Sequence, residues 1–320
     1  SMNAPLNLPN NILEMVKRSN NILFLGVGGG FDIMGSIPLY VNLDVTKKFT
    51  FANYNPRLKA VEKFDTRDLP AESDHNAHIE HKLAEWLAPH ELGQTVYGIP
   101  KGGVKSTAAY LKKIVKDHDI DMMILVDGGV DSLMHGDEEG AGTWLDDTVT
   151  MLAASEVGKG MHKVLACLGF GTELEEGLCH HHVLKNMSEL MADEAFWGCC
   201  AIIRDSWEFR QYRDACEYVW ENYRKSHIHT KVISAVDGLF GDTNLYEGVD
   251  AQVIDGVKCK NYISPLMSLY WFFALDWVLL KNKMAKLLKD TNTNTDVMML
   301  YRQNIDQLNI NKRKRESIPY

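Results

Sequence analysis

The chain has 320 residues, 45% of them hydrophobic and 24% charged, a balance that excludes disordered, collagenous and coiled-coil classes. Lys and Arg number 34 against 43 Asp and Glu, so the formal charge is -9, which argues against nucleic acid or an anionic membrane as primary partner. The 6 cysteines, at 167, 179, 199, 200, 216 and 259, lie in or beside apolar stretches with no C-x-x-C pair, as expected in a reducing compartment.

Ser1 before Met2 reads as an expression scar, and the residues after it lack the charged-then-apolar run of a secretion signal, so a cytoplasmic location is expected. A strand-then-helix rhythm runs through the first two thirds of the chain, with several strands apolar throughout. This pattern predicts a Rossmann-like α/β domain over residues 8–289, its sheet mostly parallel and covered by helices on both faces. Ligands of such folds sit at the carboxyl ends of the strands, where the topology switches direction.

The first helix is predicted at Leu8–Arg18 and the first strand at Ile22–Val27. That strand runs into Gly26-Val27-Gly28-Gly29-Gly30-Phe31-Asp32, a glycine bend before a helix at Gly35–Val45. Backbone amides of Gly28, Gly29 and Gly30, with Asp32 beside them, are candidates to hold a phosphate or carboxylate. The third glycine of a dinucleotide fingerprint is replaced by Phe31, and the second strand, Thr50–Asn53, leads to Asn53 and Asn55 where an acid is needed, so an ordinary NAD site is disfavoured.

A helix at His75–Leu87 carries His75, His78 and His81 at spacings of three, read as a solvated face. The strand Thr95–Ile99 ends in Pro100-Lys101-Gly102-Gly103-Val104-Lys105-Ser106-Thr107, whose Lys101 and Lys105 would add positive charge at the start of the helix Ser106–His118. Val104 and the preceding spacing rule out a Walker A loop.

After the strand Met122–Val126 comes the most distinctive segment, Asp127-Gly128-Gly129-Val130-Asp131-Ser132-Leu133-Met134-His135-Gly136-Asp137-Glu138-Glu139-Gly140. Clustered acids at a strand end repel one another unless a cation or ligand donors compensate them. Asp127, Asp131 and Asp137 are therefore candidate ligands for Mg2+, with Asp127 and Asp131 also candidate catalytic groups or partners of ribose hydroxyls. Gly128, Gly129 and Ser132 are candidate ligand-binding positions in the same loop.

The helix Asp146–Glu156 and strand Lys163–Leu168 follow, then Gly169-Phe170-Gly171, also candidates for the ligand. In Cys179-His180-His181-His182, at the start of the helix Leu178–Met191, His180 is a candidate proton carrier, whereas adjacent helical histidines point about 100° apart and cannot share one zinc. A strand at Gly198–Ile203, a helix at Phe209–Arg224, an extended piece near Val232–Val236 and a Gly/Asp turn at Asp237–Asp242 come next.

The run Pro265–Leu280 carries Asp276 and is too short for a bilayer, so it reads as part of a core helix over Pro265–Leu288 with its aromatic cluster packed inside or stacked on a base. Residues 290–320 read as a polar and basic solvated tail; Lys312–Arg315 is a frayed end or a nuclear-import signal.

Together, GVGGGFD, DGGVDSLMHGDEEGAGT, CLGFG followed by CHHHVLKN, and FGD followed by SPLMSLYWFFALD resemble the family known as domain of unknown function 1152, from about Ile22 to about Trp277. That resemblance implies one intact α/β domain and no reaction. Gly128–Ser132 is also similar over a few residues to the phosphate loop of ATP pyrophosphatases, with Asp127 in place of that family's serine donor.

The sequence therefore points to a crevice for a phosphorylated small molecule of the nucleotide or nucleotide-sugar class, with hydrolysis or group transfer as the expected chemistry. The alternatives are a non-catalytic metabolite sensor or scaffold and an adenylating enzyme. An oligomer is compatible with either. The expectation on which the rest depends is that the glycine bend and the Asp127 bend open onto one hollow.

Overall fold

The computed structural model describes residues 6–43, 46–70, 77–89, 94–243, 252–254, 257–259 and 261–319. The amino-terminal half alternates as expected: α1 (Asn10–Lys17), β1 (Asn21–Gly26), α2 (Ile37–Asn42), β2 (Lys48–Asn55), β3 (Glu62–Asp65), α3 (Ile79–Leu87), β4 (Thr95–Pro100), α4 (Val104–Asp117) and β5 (Met122–Gly128). Then come α5 (Trp144–Ser155), β6 (His162–Leu168), α6 (His180–Ala192), β7 (Phe196–Ala201), α7 (Trp207–Asn222) and α8 (His227–Val236). Four short strands follow, β8 (Gly241–Asp242), β9 (Gln252–Ile254), β10 (Val257–Cys259) and β11 (Tyr262–Ile263). The chain ends with β12 (Leu269–Ala274), α9 (Leu275–Lys281), α10 (Ala285–Leu288) and α11 (Asn294–Ile310).

Eight strands form one sheet in the order β3-β4-β2-β1-β5-β6-β12-β7. The neighbours from β4 to β6 are all parallel, β3 and β12 pair antiparallel with theirs, and β7 thus runs in the same direction as β6. Numbered by sequence, the parallel strands read 3-2-1-4-5-6, with β12 inserted before the last. This is a Rossmann-like α/β fold, and its chain reverses direction of growth between β1 and β5.

Period-two alternation sets the layers. Leu23 and Leu25 of β1 face a core formed with α4, α5, α6 and α9 to α11, while Ile22 and Phe24 face one formed with α1, α2, α3, α7 and α8. Burial on both faces explains why β1 after Asn21, and β5 up to Asp127, carry no polar residue.

Three expectations are corrected. Val232–Val236 is the last turn of α8, not an extended piece. Pro265–Leu288 is a 3-10 turn (Pro265–Ser268), then β12, then two helices, because LYWFFA inserts between β6 and β7 with both faces covered. An apolar run of that length suits a buried strand and a buried helix equally, and the aromatic residues favour the strand. Residues 290–320 are not a solvated tail as far as they are described: Thr293 and Asp296 form a capping box for α11, whose Val297 joins the core. The predicted helix starts and ends at His75 and Val45 fall outside the described residues.

Candidate functional site

The carboxyl ends of β1 and β5 lie side by side, Gly26 in register with Val126, and the segments leaving them line one cavity of about 450 Å³. Gly28, Gly29, Asp32, Asp127, Gly128 and Asp131 all face it, so the two bends share one hollow as expected. Asp147 from the first turn of α5, Glu173 from the loop after β6, and Arg224 from the turn before α8 complete it.

Burial concentrates charge there. Asp32, Asp127, Asp131, Asp147 and Glu173 are all buried, and one carboxylate oxygen from each of Asp127, Asp131 and Asp147 lies within 4.8 Å of the others. Burial first, and then the neighbouring carboxylates, push the carboxyls of Asp32, Asp127, Asp147 and Glu173 well above their ordinary range. Two of the three clustered carboxylates are braced by donors. Ser132 N–H and Oγ both donate to Asp127 Oδ2, and Thr143 N–H and Oγ1 donate to Asp131 Oδ2 at 3.0 and 2.7 Å. The other carboxylate, Asp147, keeps a buried Oδ2 with no hydrogen-bond partner among the described residues.

The glycines make room for these acids. A Cβ on Gly28 would collide with Asp147 Oδ1, and one on Gly129, whose φ is +125°, would collide with the Glu173 carboxylate. Their amides are largely occupied within the protein. Gly28 N–H donates to Asp32 Oδ2 (3.0 Å) and Gly30 N–H to the Gly28 carbonyl (2.9 Å). In the second bend, Gly129 N–H donates to the Leu168 carbonyl, Val130 and Asp131 N–H to Glu173 Oε1, and Ser132 N–H to Asp127. A phosphate cradle built from Gly28 and Gly30, or from the pyrophosphatase-like run at Gly128–Ser132, is therefore corrected: these amides already have carboxylate or carbonyl acceptors.

His229, on the cavity wall, is held neutral. The Phe31 carbonyl can only accept, so Nε2–H donates to it at 2.8 Å and the Tyr212 hydroxyl donates to Nδ1; burial lowers the imidazole to about 4.

Several predicted site residues lie elsewhere. Lys101 pairs with Asp146 at 3.2 Å and Lys105 with Asp290 at 3.7 Å, and neither lines the cavity. Asp137 is not part of the Asp127 cluster: it accepts from Arg313 Nε at 3.0 Å, beside Glu138, and the third carboxylate near Asp127 and Asp131 is that of Asp147. His180 packs against Phe170, with ring centres 5.0 Å apart, close to Gly171, and Gly169 abuts Thr172 and Val232; none of the three lines the cavity. Of the aromatic cluster, Tyr270, Phe272 and Phe273 are core residues and Trp271 packs on Phe170 and Phe196, away from any base site. His81 is buried and stacked on Phe64 at 4.7 Å rather than solvated, and His75 lies outside the described residues.

Sequence reasoning missed several residues of the cavity, Asp147, Glu173 and Arg224 among them. Asp147 had a signal, since it follows the acidic segment at the start of a helix, but that position also suits an ordinary helix-dipole carboxylate. Glu173 had one too, since it lies in the strand-end loop after β6, whereas Arg224 had none, because only tertiary packing brings it to the strand ends.

Fold and site together define a Rossmann-like α/β protein with a buried, acid-lined crevice at its topological switch point. The chain belongs to the family described as protein of unknown function (DUF1152), whose model matches residues 60–305, a span that takes in Asp127, Asp131, Asp147, Glu173 and Arg224 and reaches into α11. No curated protein and no solved structure matches the chain.

Proposed function

We propose that the crevice binds a phosphorylated small molecule of the nucleotide or nucleotide-sugar class through a divalent cation, Mg2+ by preference, held by Asp127, Asp131 and Asp147. The observation that carries this reading is the approach of three buried carboxylates to within 4.8 Å, with Asp147 Oδ2 unpartnered in a cavity large enough for a ligand. Such a group is compensated either by protons or by a cation, and an all-oxygen donor set suits a hard divalent ion. With the amides of Gly28 and Gly30 occupied, the ligand's phosphate is reached through the cation. A cation so placed polarises a phosphoryl oxygen and acidifies a bound water, the chemistry that hydrolysis or group transfer requires.

Calorimetric titration with Mn2+ or Mg2+ tests the reading, with thermal stability as a second readout. The wild-type chain is expected to bind the ion and to unfold at a higher temperature with it. Asp147→Asn, which keeps the side chain's shape and removes one repelling charge, is expected to stay folded and to lose binding by about tenfold or more. Failure of either ion to bind the wild-type chain, or equal binding by the variant, overturns the assignment.

A further inference from the structure

We infer that Arg224 is the specificity-determining residue for the anionic part of the ligand: its guanidinium receives a phosphoryl or diphosphate group while the carboxylate side of the cavity holds the cation. The inference rests on the cation reading above and extends it to a residue that the sequence did not single out.

Arg224 sits in the short turn between α7 and α8 and lines the cavity. Its guanidinium carbon lies 5.0 Å from the centre of the Phe31 ring and 5.4 Å from that of Tyr223, and these rings pack on each other at 6.0 Å. The platform is itself held, since His229 Nε2–H pins the Phe31 carbonyl at 2.8 Å and Tyr223 N–H donates to the Val219 carbonyl at 2.8 Å. A guanidinium held over rings uses its faces and leaves its in-plane N–H groups to find acceptors of their own.

Those donors have no acceptor here. Among the described residues Arg224 makes no ion pair or hydrogen bond, and its Nε is buried without a partner, although Asp32, Asp127, Asp131, Asp147, Glu173 and Glu176 line the same cavity. The two cations that the sequence predicted for this site are engaged elsewhere, Lys101 with Asp146 and Lys105 with Asp290, and Lys225, which also lines the cavity, has its ammonium 5.5 Å from the centre of the Trp220 ring. An unpaired planar fork and an acid cluster in one cavity make a bipolar receptor. A ligand that fills both ends carries an anionic group with several oxygens, one side for the cation and one for the fork. The acids repel such a ligand when the cation is absent, so anion binding depends on the ion.

The test uses the full chain with two probes, Mn2+ alone and inorganic pyrophosphate added to the Mn2+-loaded protein, with malonate as a dicarboxylate control. The wild-type chain is expected to bind pyrophosphate at least about tenfold more tightly with Mn2+ than in chelator. Arg224→Ala and Arg224→Gln are expected to bind Mn2+ as the wild type does and to weaken pyrophosphate by about tenfold or more, with Arg224→Lys restoring only part because it lacks the planar fork. Phe31→Leu, which removes the platform and keeps the charge, is expected to weaken pyrophosphate in the same direction. Pyrophosphate binding that is absent from the Mn2+-loaded wild type, or equal in wild type and folded Arg224 variants, overturns this inference alone. Malonate binding more tightly than pyrophosphate overturns the phosphoryl assignment. Absence of Mn2+ binding by the wild type overturns the cation reading and this one with it.

Discussion

Glu80 is a carboxyl group enclosed by two asparagines on β2: Asn53 Nδ2 donates to its Oε1 at 2.9 Å and Asn55 Nδ2 at 3.1 Å. Asn53 Nδ2 also donates to the Gly30 carbonyl at 2.7 Å, which ties the glycine bend to the edge of β2. Burial raises the Glu80 carboxyl to about 7 despite these donors. An acid raised in the folded state contributes its full stability below the unfolded value and loses it as pH rises toward the folded one, so Glu80's own contribution is lost progressively from about pH 4.5 to about 7, beside that of the raised carboxyls of the cavity. The loss is on the order of 3 kcal/mol. Urea unfolding of the wild type and of Glu80→Gln at pH 5 and pH 7.5 measures it; the variant is expected to lose less stability between the two pH values by about that amount, and an unchanged difference contradicts the assignment. The two asparagines were legible in the sequence as a departure from a dinucleotide site. Their actual partner was not, because Glu80 lies on α3 and comes to β2 only through packing of that helix on the sheet.

At the scale of elements, α4 shows why a helix start that reads as an anion site need not be one. Val104 N–H donates to Thr291 Oγ1 at 3.0 Å, Lys105 N–H to the Thr291 carbonyl at 2.8 Å and Gly103 N–H to the Asn292 carbonyl at 3.2 Å. The connection between α10 and α11 thus caps the helix and occupies the donors an anion needs. Thr291→Val keeps the shape and deletes the Oγ1 acceptor, leaving the buried Val104 amide without it. The expected cost is about 1 to 2 kcal/mol, read as a lower urea midpoint with an unchanged slope. The same segment illustrates where element prediction failed. The polar run before α11 looks like a loop, and its Thr293–Asp296 capping box is visible in the sequence, but the role of Thr291 as a cap for a helix start 187 positions earlier is set by tertiary contact.

For the whole molecule, the carboxyl-terminal stretch acts as a strap. Arg313 enters a pocket of acids, pairing with Asp137 at 2.9 Å and with fully buried Glu138 at 2.7 Å and donating to Asn186 Oδ1 at 2.8 Å, while its backbone bridges Asp137 and Glu139. The acidic segment that begins at the cavity with Asp131 is held at its far end by this residue. Glu138 also accepts from the His135 and Gly136 amides, so removing the arginine strands a buried carboxylate. Arg313→Ala is expected to cost about 3 kcal/mol in chemical denaturation, whereas Lys312→Ala, at an exposed neighbour, is expected to cost little. Equal effects of the two would show that net charge, not the pairing, matters. The half-buried arginine is thus a structural part of the domain rather than one residue of a solvated basic signal, and among the described residues no helix is long and apolar enough to cross a membrane.

What the chain by itself determined is the α/β rhythm and the location of the crevice. Apolar strands bounded by glycine and aspartate specify a parallel sheet, and the order of the βα units, once paired, places Gly28 and Asp127 at the same switch point. Local pattern carries that information because strands and helices each have a period of their own. Partnership has no period. Which acids meet, which amides are already occupied, and which cation is left unpaired depend on residues distant in sequence: Asp147 and Glu173 came to the Asp127 bend, Arg313 took Asp137 away from it, and Arg224 reached the cavity through the turn between α7 and α8. Burial then converted those meetings into chemistry, since carboxylates that would repel weakly in water face one another with little solvent between them.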